Sequence, residues 1–306
     1  MRIGYYPGCS LLGSSREYDE SFRAIAPILG LELVEPPDWN CCGASAAHNL
    51  NHLMSVALPA RVLGLARDAG LSQVIVPCSA CYSRLAGTRA ELERDEALRV
   101  QISELIEMDC SNLTGILNVL DALELAGLEE IAAKATTPFA RKVACYYGCF
   151  LVRPVELTGT ARVEDPQEMD TILGKVGAQP IDWAFKTECC GAGFAVSRTS
   201  TVARLSANIV EDAALRGAEA IVVGCPMCHT NLDLRRPEIE KHAGRNFDVP
   251  VLYVTQVLGK AFGLSDRALG MHRHNVPVKF GNDPTTKIPV IIEKPTPAAA
   301  PAGKEA

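Results

Sequence analysis

Short apolar runs alternate along the chain with longer stretches whose apolar residues recur at helical spacing, the rhythm of strands joined by helices. RIGYY at 2–6 predicts a strand, and from Ser14 to Leu29 a helical pattern holds until Gly30. LELVEP at 31–36 predicts a second strand, closed by prolines. A mostly helical stretch runs from His48 to Ala69, with Pro59 expected to bend or restart it. VIVP at 74–77, too short and too apolar for a surface helix, predicts a strand covered on both faces. Two more helices are expected, from Glu91 to Met108 and from Leu113 to Leu128, followed by a linker, KATTP, at 134–138.

The order then restarts. KVACYYGC at 142–149 parallels RIGYYPGC at 2–9, QPIDW at 179–183 parallels the second strand, and IVVGCPMC at 221–228 parallels VIVPCSAC at 74–81. Ser200–Arg216, ended by Gly217, matches the helix before VIVP, and VPVLYVT at 249–255 with a short helix at 256–262 closes the second half. An internal duplication explains the length. The expected fold is α/β, with short parallel sheets flanked by helices in two halves related by a pseudo-twofold. Residues 1–133 form the first unit with its helical connection, 134–265 the second, and 266–306 an extension ending in a flexible, Pro- and Ala-rich tail. Ile288, Val290, Ile291 and Ile292 give that tail an apolar stretch for docking onto a partner.

Thirty Lys and Arg against 36 Asp and Glu, a net charge of −6 over 306 residues, argue against nucleic-acid binding. The opening MRIGYYPGCS lacks a basic flank and a long apolar core, so it is not expected to act as a secretory signal. Apolar runs are too short for a direct membrane span, and the expected location is cytoplasmic. Twelve cysteines in a reducing compartment favour metal ligation or redox chemistry over six structural disulfides.

Ten of them fall into two matching sets. The first is Cys9, Cys41-Cys42-Gly43 and Cys78-Ser-Ala-Cys81; the second is Cys149, Cys189-Cys190-Gly191 and Cys225-Pro-Met-Cys228. Their separations are 32, 36 and 3 positions in the first half and 40, 35 and 3 in the second. Each set lies where strands give way to turns or helices, the edge of a parallel sheet at which distant residues converge. An iron–sulfur centre in each half fits best. Zinc, the main rival, leaves a fifth thiol unused, and free-thiol redox centres are the third reading. Cys110 and Cys145 are left over, Cys145 as an inward-facing residue or a thiol near the site.

Arg84, Arg153, Lys186 and Arg198 lie near motif positions and offset thiolate charge or attract an anion if they are not simply solvated. His229, next to Cys228, is either a proton donor to a leaving thiolate or a hydrogen-bonded structural residue. His48 and His52, four apart, read as local packing or surface residues before a metal pair. Of Tyr5, Tyr6, Tyr146 and Tyr147, alternation sends one of each pair into the core and the other toward a centre.

The repeated Cys…Cys-Cys-Gly…Cys-x-x-Cys pattern resembles the duplicated cysteine-rich CCG domain found in the B subunits of heterodisulfide reductases, and the likeness extends to about residue 265. The resemblance implies two noncubane 4Fe–4S clusters, one on Cys9, Cys41, Cys42, Cys78 and Cys81 and the other on Cys149, Cys189, Cys190, Cys225 and Cys228. It further implies an oxidoreductase acting on a sulfur group, a small thiol or disulfide or a protein-bound sulfur species. Catalysis is expected at the second set, with His229, Lys186 and Cys145 nearby. Electrons would come through a ferredoxin-like iron–sulfur subunit docking near the first set, and ultimately from a flavin-containing subunit. No Gly-rich nucleotide-cradling motif is visible, so a nicotinamide cofactor is not an expected direct donor. The alternatives are a non-catalytic or quinone-linked electron conduit and a structural zinc-binding interaction module.

Overall fold

Eight short strands form two parallel sheets of the same topology in this computed structural model, which describes residues 1–44 and 47–279. β1 (Arg2–Tyr5), β2 (Glu32–Val34), β3 (Gln73–Ile75) and β4 (Gly115–Leu117) lie in the order β2-β1-β3-β4. β5 (Lys142–Tyr146), β6 (Gln179–Pro180), β7 (Ala220–Val223) and β8 (Val251–Tyr253) repeat it as β6-β5-β7-β8. Every pairing is parallel, so each connection is a crossover carrying helices, and the central strands are covered on both faces. All four residues of β7 are buried, which is why they read as an unbroken apolar run.

Three expectations from the pattern change. The segment from Leu113 to Leu128 holds β4 and then a helix, Val119–Ala126, rather than one helix. Thr114 Oγ1 donates to Leu63 O and Leu71 O, both at 3.1 Å, and lays β4 beside β3. Asn118 then starts the helix, accepting from Leu120 N and Asp121 N while Asp121 accepts from Asn118 N. A three-residue strand is shorter than a helical turn, so its apolar residues merge into the neighbouring pattern. Pro59 lies inside the continuous helix His52–Asp68; the break comes earlier, at Asn51, whose side chain accepts from Met54 N at 3.0 Å. The stretch from Glu91 to Met108 is the end of one helix, Ser79–Arg94, and a second, Glu96–Ile106, which Asp95 caps through Leu98 N.

The halves interlock reciprocally. Helix Arg16–Ile25 of the first half packs on helix Val254–Ala261 of the second, and helix Glu168–Lys175 of the second packs on Val119–Ala126 of the first. Exchange of equivalent contacts is what a pseudo-twofold produces. Tyr18 Oη donates to Gly224 O at 3.1 Å across this junction, and the Ser21 and Thr255 hydroxyls meet at 2.7 Å. One apolar core therefore crosses the junction, with Ile3, Tyr5 and Phe22 joined to Val222, Leu252 and Val257. A second cluster, including Val56, Leu63, Val74 and Leu85, fills the other face of the first sheet.

Residues beyond 265 continue this packing as far as they are described. Leu269 and Met271 are buried in the shared core, and Asn275 N and Val276 N donate to the Asp233 carboxylate. Ile288, Val290, Ile291 and Ile292 lie outside the described residues. Among the described residues no helix is long and apolar enough to cross a membrane.

Candidate metal centres

Each sheet delivers its cysteines at the C-terminal ends of its strands. Cys9 follows β1 through Pro7 and Gly8, Cys78 follows β3 as the residue before helix Ser79–Arg94, and Cys81 falls in that helix's first turn. Cys149 and Cys225 follow β5 and β7 in the same way, with Cys228 inside helix Pro226–His229. The Cys-Cys-Gly loops are pinned by tyrosines. Tyr6 Oη donates to Asn40 O at 2.9 Å and Tyr146 Oη to Glu188 O at 2.6 Å, each gripping the residue just before the doublet. Gly43 N and Gly191 N then point at Cys41 Sγ and Cys189 Sγ, at 3.5 and 3.3 Å.

Within each half, all five thiols meet. Cys42 Sγ lies 3.1 Å from Cys81 Sγ, and Cys190 Sγ lies 3.7 Å from Cys228 Sγ. Cys9 interacts with Cys41, Cys42 and Cys78, and Cys149 with Cys189, Cys190 and Cys225. All twelve cysteines are free thiols. Left-handed backbone favours glycine at the base of each set, and in the second set the approach to a sulfur is also too close for a side chain. A Cβ on Gly148 (φ +66°) would come 2.9 Å from Cys228 Sγ, and one on Gly8 (φ +64°) would come 3.4 Å from Cys81 Sγ.

This crowding shapes the protonation of the thiols. A hydrogen bond from Cys81 brings Cys42 down to about 7, while Cys81 itself is pushed well up by its bonds to Cys42 and Cys78 and by burial. In the second half, the hydrogen bond from Cys149 lowers Cys189 to about 6, and that from Cys228 lowers Cys225 to about 6. Five sulfurs held together cannot all carry charge without a cation among them, so this donor set fits a multi-iron centre with several ligation points. A single tetrahedral ion would use four of the five.

The two sets also adjoin each other. Ser79, next to Cys78, faces Cys225 of the other half, and its buried hydroxyl has no hydrogen-bond partner of normal geometry. The buried Tyr18 ring lies close enough to both Cys225 and Cys78 to feel their charge. Nothing in the sequence pattern singled out Ser79 or Tyr18. Both are ordinary helix positions until the interlocking of the halves is known.

Other residues singled out from the sequence have different placements. Lys186 is not free to attract an anion: it is buried and donates to Asp165, Asp170 and Pro166 O, each at 3.0 Å. Arg153 is tied to Glu164 at 2.7 Å and to Thr187 O, whereas Arg84 is half-buried and Arg198 exposed. Cys145 is fully buried beside Asp170 and Lys186, pushed well up by burial, and belongs to neither set; Cys110 is buried elsewhere. His229 is buried between Tyr253 and His274, and burial keeps it well below its usual value, so it is neutral rather than a proton reservoir. His48 and His52 fall in separate helices, His52 meeting Glu91 at 3.0 Å. Tyr6 and Tyr146 face the thiols, as strand alternation requires, while Tyr5 and Tyr147 point the other way and donate to Asp19 and Asp170.

A cysteine-rich domain family, CCG, matches the chain twice, over residues 3–86 and 143–233, which take in both cysteine sets. The 8-methylmenaquinol:fumarate reductase membrane anchor subunit of Wolinella succinogenes is 33% identical over 277 residues, covering 90% of this chain and 96% of that protein. The B subunit of the ferredoxin:CoB-CoM heterodisulfide reductase of Methanosarcina mazei is 26% identical over 284 residues, 90% of this chain and 94% of that protein. A crystal structure of a hypothetical protein from Helicobacter pylori superposes with a TM-score of 0.73 at 14% identity over 92% of this chain. This chain spans 53% of that one, about half its length, and the likeness shows the fold. Its two matched domains, each enclosing one five-cysteine set, and its relatives aligned over nearly their whole lengths establish that the chain belongs to the cysteine-rich CCG family in its duplicated form, together with the B subunits of heterodisulfide reductases.

Proposed function

We propose that the chain is the iron–sulfur electron-transfer subunit of a multi-subunit reductase, holding one noncubane 4Fe–4S cluster on each cysteine set and exchanging electrons with a quinol. The observation that carries the cluster assignment is the meeting of five thiols at the strand ends of each half, with the sets adjoining at Ser79 and Cys225. When bound, the clusters supply one-electron steps into which a two-electron conversion is divided. The chain's own residues hold the ligand loops through Tyr6 and Tyr146 and leave Cys9, Cys41 and Cys189 exposed at the rim.

Two observations favour a quinol over a charged sulfur compound. Exposed apolar side chains follow the ligands closely along the chain: Leu12 after Cys9, Phe150 after Cys149, and Phe194 and Val196 after Cys189, Val196 at 97% exposure. Lys186, the buried cation nearest in sequence to the second doublet, is neutralised by two carboxylates. The Wolinella relative, with a quinol in its name, is also the more similar of the two described. Partner subunits follow from the same relatives. The second reading is reduction or formation of a disulfide with electrons from ferredoxin-like and flavin-containing subunits, and the Methanosarcina relative supports it.

Anaerobic addition of a menaquinol analogue in detergent to the oxidised, iron-loaded chain is expected to bleach its visible absorbance. Replacing Phe194 and Val196 together with Ser is expected to slow the bleaching about tenfold by removing apolar contact. Bleaching by a thiol pair, with none by the quinol, would overturn the quinol reading in favour of sulfur chemistry.

A further inference from the structure

Glu17 belongs to the first half but is buried at the junction with the second, at 4% exposure, and among the described residues its carboxylate has no cation bonded to it. The charged groups that face it are otherwise engaged. Arg273 is paired with Glu20 at 2.7 Å, and both oxygens of Asp233 accept backbone N–H groups, from Asn275 at 2.7 Å and Val276 at 3.1 Å. The nearest group is His229, with Nδ1 3.6 Å from the Glu17 carboxylate.

His229 and His274 sit at the end of a chain of hydrogen bonds. Gln256 Oε1 accepts from Tyr253 N at 2.9 Å, so Gln256 Nε2 donates to Leu269 O at 2.9 Å and to His274 Nε2 at 2.8 Å. A neutral His274 then carries its proton on Nδ1, which faces His229 Nε2 at 3.3 Å. His229 Nε2 also lies 3.2 Å from Val251 O, a carbonyl that only accepts, and the Nδ1 edge of the ring faces Glu17. In the grouping of His229, Asp233 and His274, His274 Nε2 and both Asp233 oxygens already accept N–H groups, which argues against a cation there.

Between Glu17 and the second cysteine set stands Tyr253. Its ring is stacked between Tyr18 at 4.0 Å and His229 at 4.4 Å, and it feels the charge of both Glu17 and Cys225. The buried Tyr253 and Ser15 hydroxyls face each other and have no hydrogen-bond partner of normal geometry among the described residues, so the space beside Glu17 is polar. We propose that Glu17 is a redox-linked proton site: it takes up one proton when the second-half centre gains an electron and returns it on reoxidation. The inference rests on the cluster assignment above. The electron comes from the quinol or partner subunit and the proton from water, and the only bond made or broken at the site is Glu17 O–H.

Burial raises Glu17 to about 7, with Asp233 and Glu20 pushing the same way and its own backbone N–H and Arg273 opposing. In the oxidised protein the carboxyl is therefore largely charged above about pH 7, where an added electron on the centre has a proton to draw in.

The test is a potentiometric titration of the iron-loaded full chain, followed optically, with infrared difference spectra recorded at each pH. One centre is expected to show a midpoint that falls above pH 7 with a slope approaching a tenfold change in equilibrium per pH unit, about 59 mV, while the other stays flat. Reduction should bring a protonated-carboxyl band into the infrared difference. Glu17→Gln should abolish both at unchanged iron content, and Glu17→Asp should keep them. A flat wild-type midpoint, or a slope and band that survive in Glu17→Gln, would overturn the inference and leave the cluster assignment standing. A chain that binds no iron would overturn both.

Discussion

The two cysteine sets are built on one plan but sit in different surroundings. In both, a strand end, a doublet loop and the first turn of a helix bring five thiols together, and a tyrosine pins the loop from the same side. The first set opens to solvent at Cys9 and Cys41. The second exposes Cys189 alone, holds Cys149 half-buried, and has Asn231 and Ser206 both donating to Cys190 O, at 3.1 and 3.2 Å, where the first doublet has Asn40 donating to Cys41 O at 2.9 Å. Glu17 and Tyr253 also lie on its side of the junction, while Tyr18 and Ser79 lie between it and Cys78 of the first. Duplication copied the donors; the interlocking of the halves supplied a different environment to each. A charge added to the second centre is felt by the buried carboxyl of Glu17 through Tyr253, whereas the first, with buried Tyr6 and Tyr18 beside it, has two of its five ligands open to water.

The sharpest way to break this comparison is to fill the glycine cradles. Alanine at either position costs about 1–2 kcal/mol for its left-handed backbone, but only at Gly148 does the new Cβ also press on a ligand sulfur, at 2.9 Å. Gly148→Ala is expected to lose the second-half iron, and Gly8→Ala to retain the first-half iron with reduced stability. Equal losses in iron analysis would mean that the sets are equally tight.

A pH series sharpens the same contrast. His48 and His52 of the first half are exposed, while His274 beside the second set is brought down to about 4 by burial. Its unfolded value is about 6.5, so below that pH the unfolded chain binds the proton that the fold refuses. Stability is expected to be steady above pH 6.5 with respect to this group, to fall toward pH 4, and then to level. Denaturant midpoints should show this, with a smaller drop in His274→Gln; an equal drop in the variant would assign it to other groups.

Tyr18→Phe removes the bond to Gly224 O that joins the halves. The expected cost is about 1 kcal/mol, read by chemical unfolding, with both halves still melting together. Smallest of all, Cys145→Ser and Cys110→Ser should leave iron content unchanged, since neither thiol belongs to a set. Loss of iron from the Cys145 variant would place that thiol among the ligands.

Much of this arrangement was legible in the sequence because the relevant signals are local or repeated. β1, β3, β5 and β7 announce themselves as apolar runs, and the matching separations of ten cysteines identify the residues that converge. β4 was hidden because three residues cannot display a period distinct from the helix beside them. Lys186 looked like a free cation because Asp165 and Asp170, which neutralise it, are 21 and 16 positions away. Glu17, Tyr18 and Ser79 acquire their significance only at the junction, and contacts between residues some two hundred positions apart leave no local pattern.

The central claim is one iron–sulfur cluster per cysteine set, and iron and acid-labile sulfide counts on anaerobically purified wild type, Cys81→Ser and Cys228→Ser test it most directly. The account predicts about eight irons per wild-type chain, two clusters of four, with about half lost in each single variant and nearly all in the double. A chain that carries stoichiometric zinc without sulfide, or one in which a single substitution empties both sets while the fold persists, would contradict it.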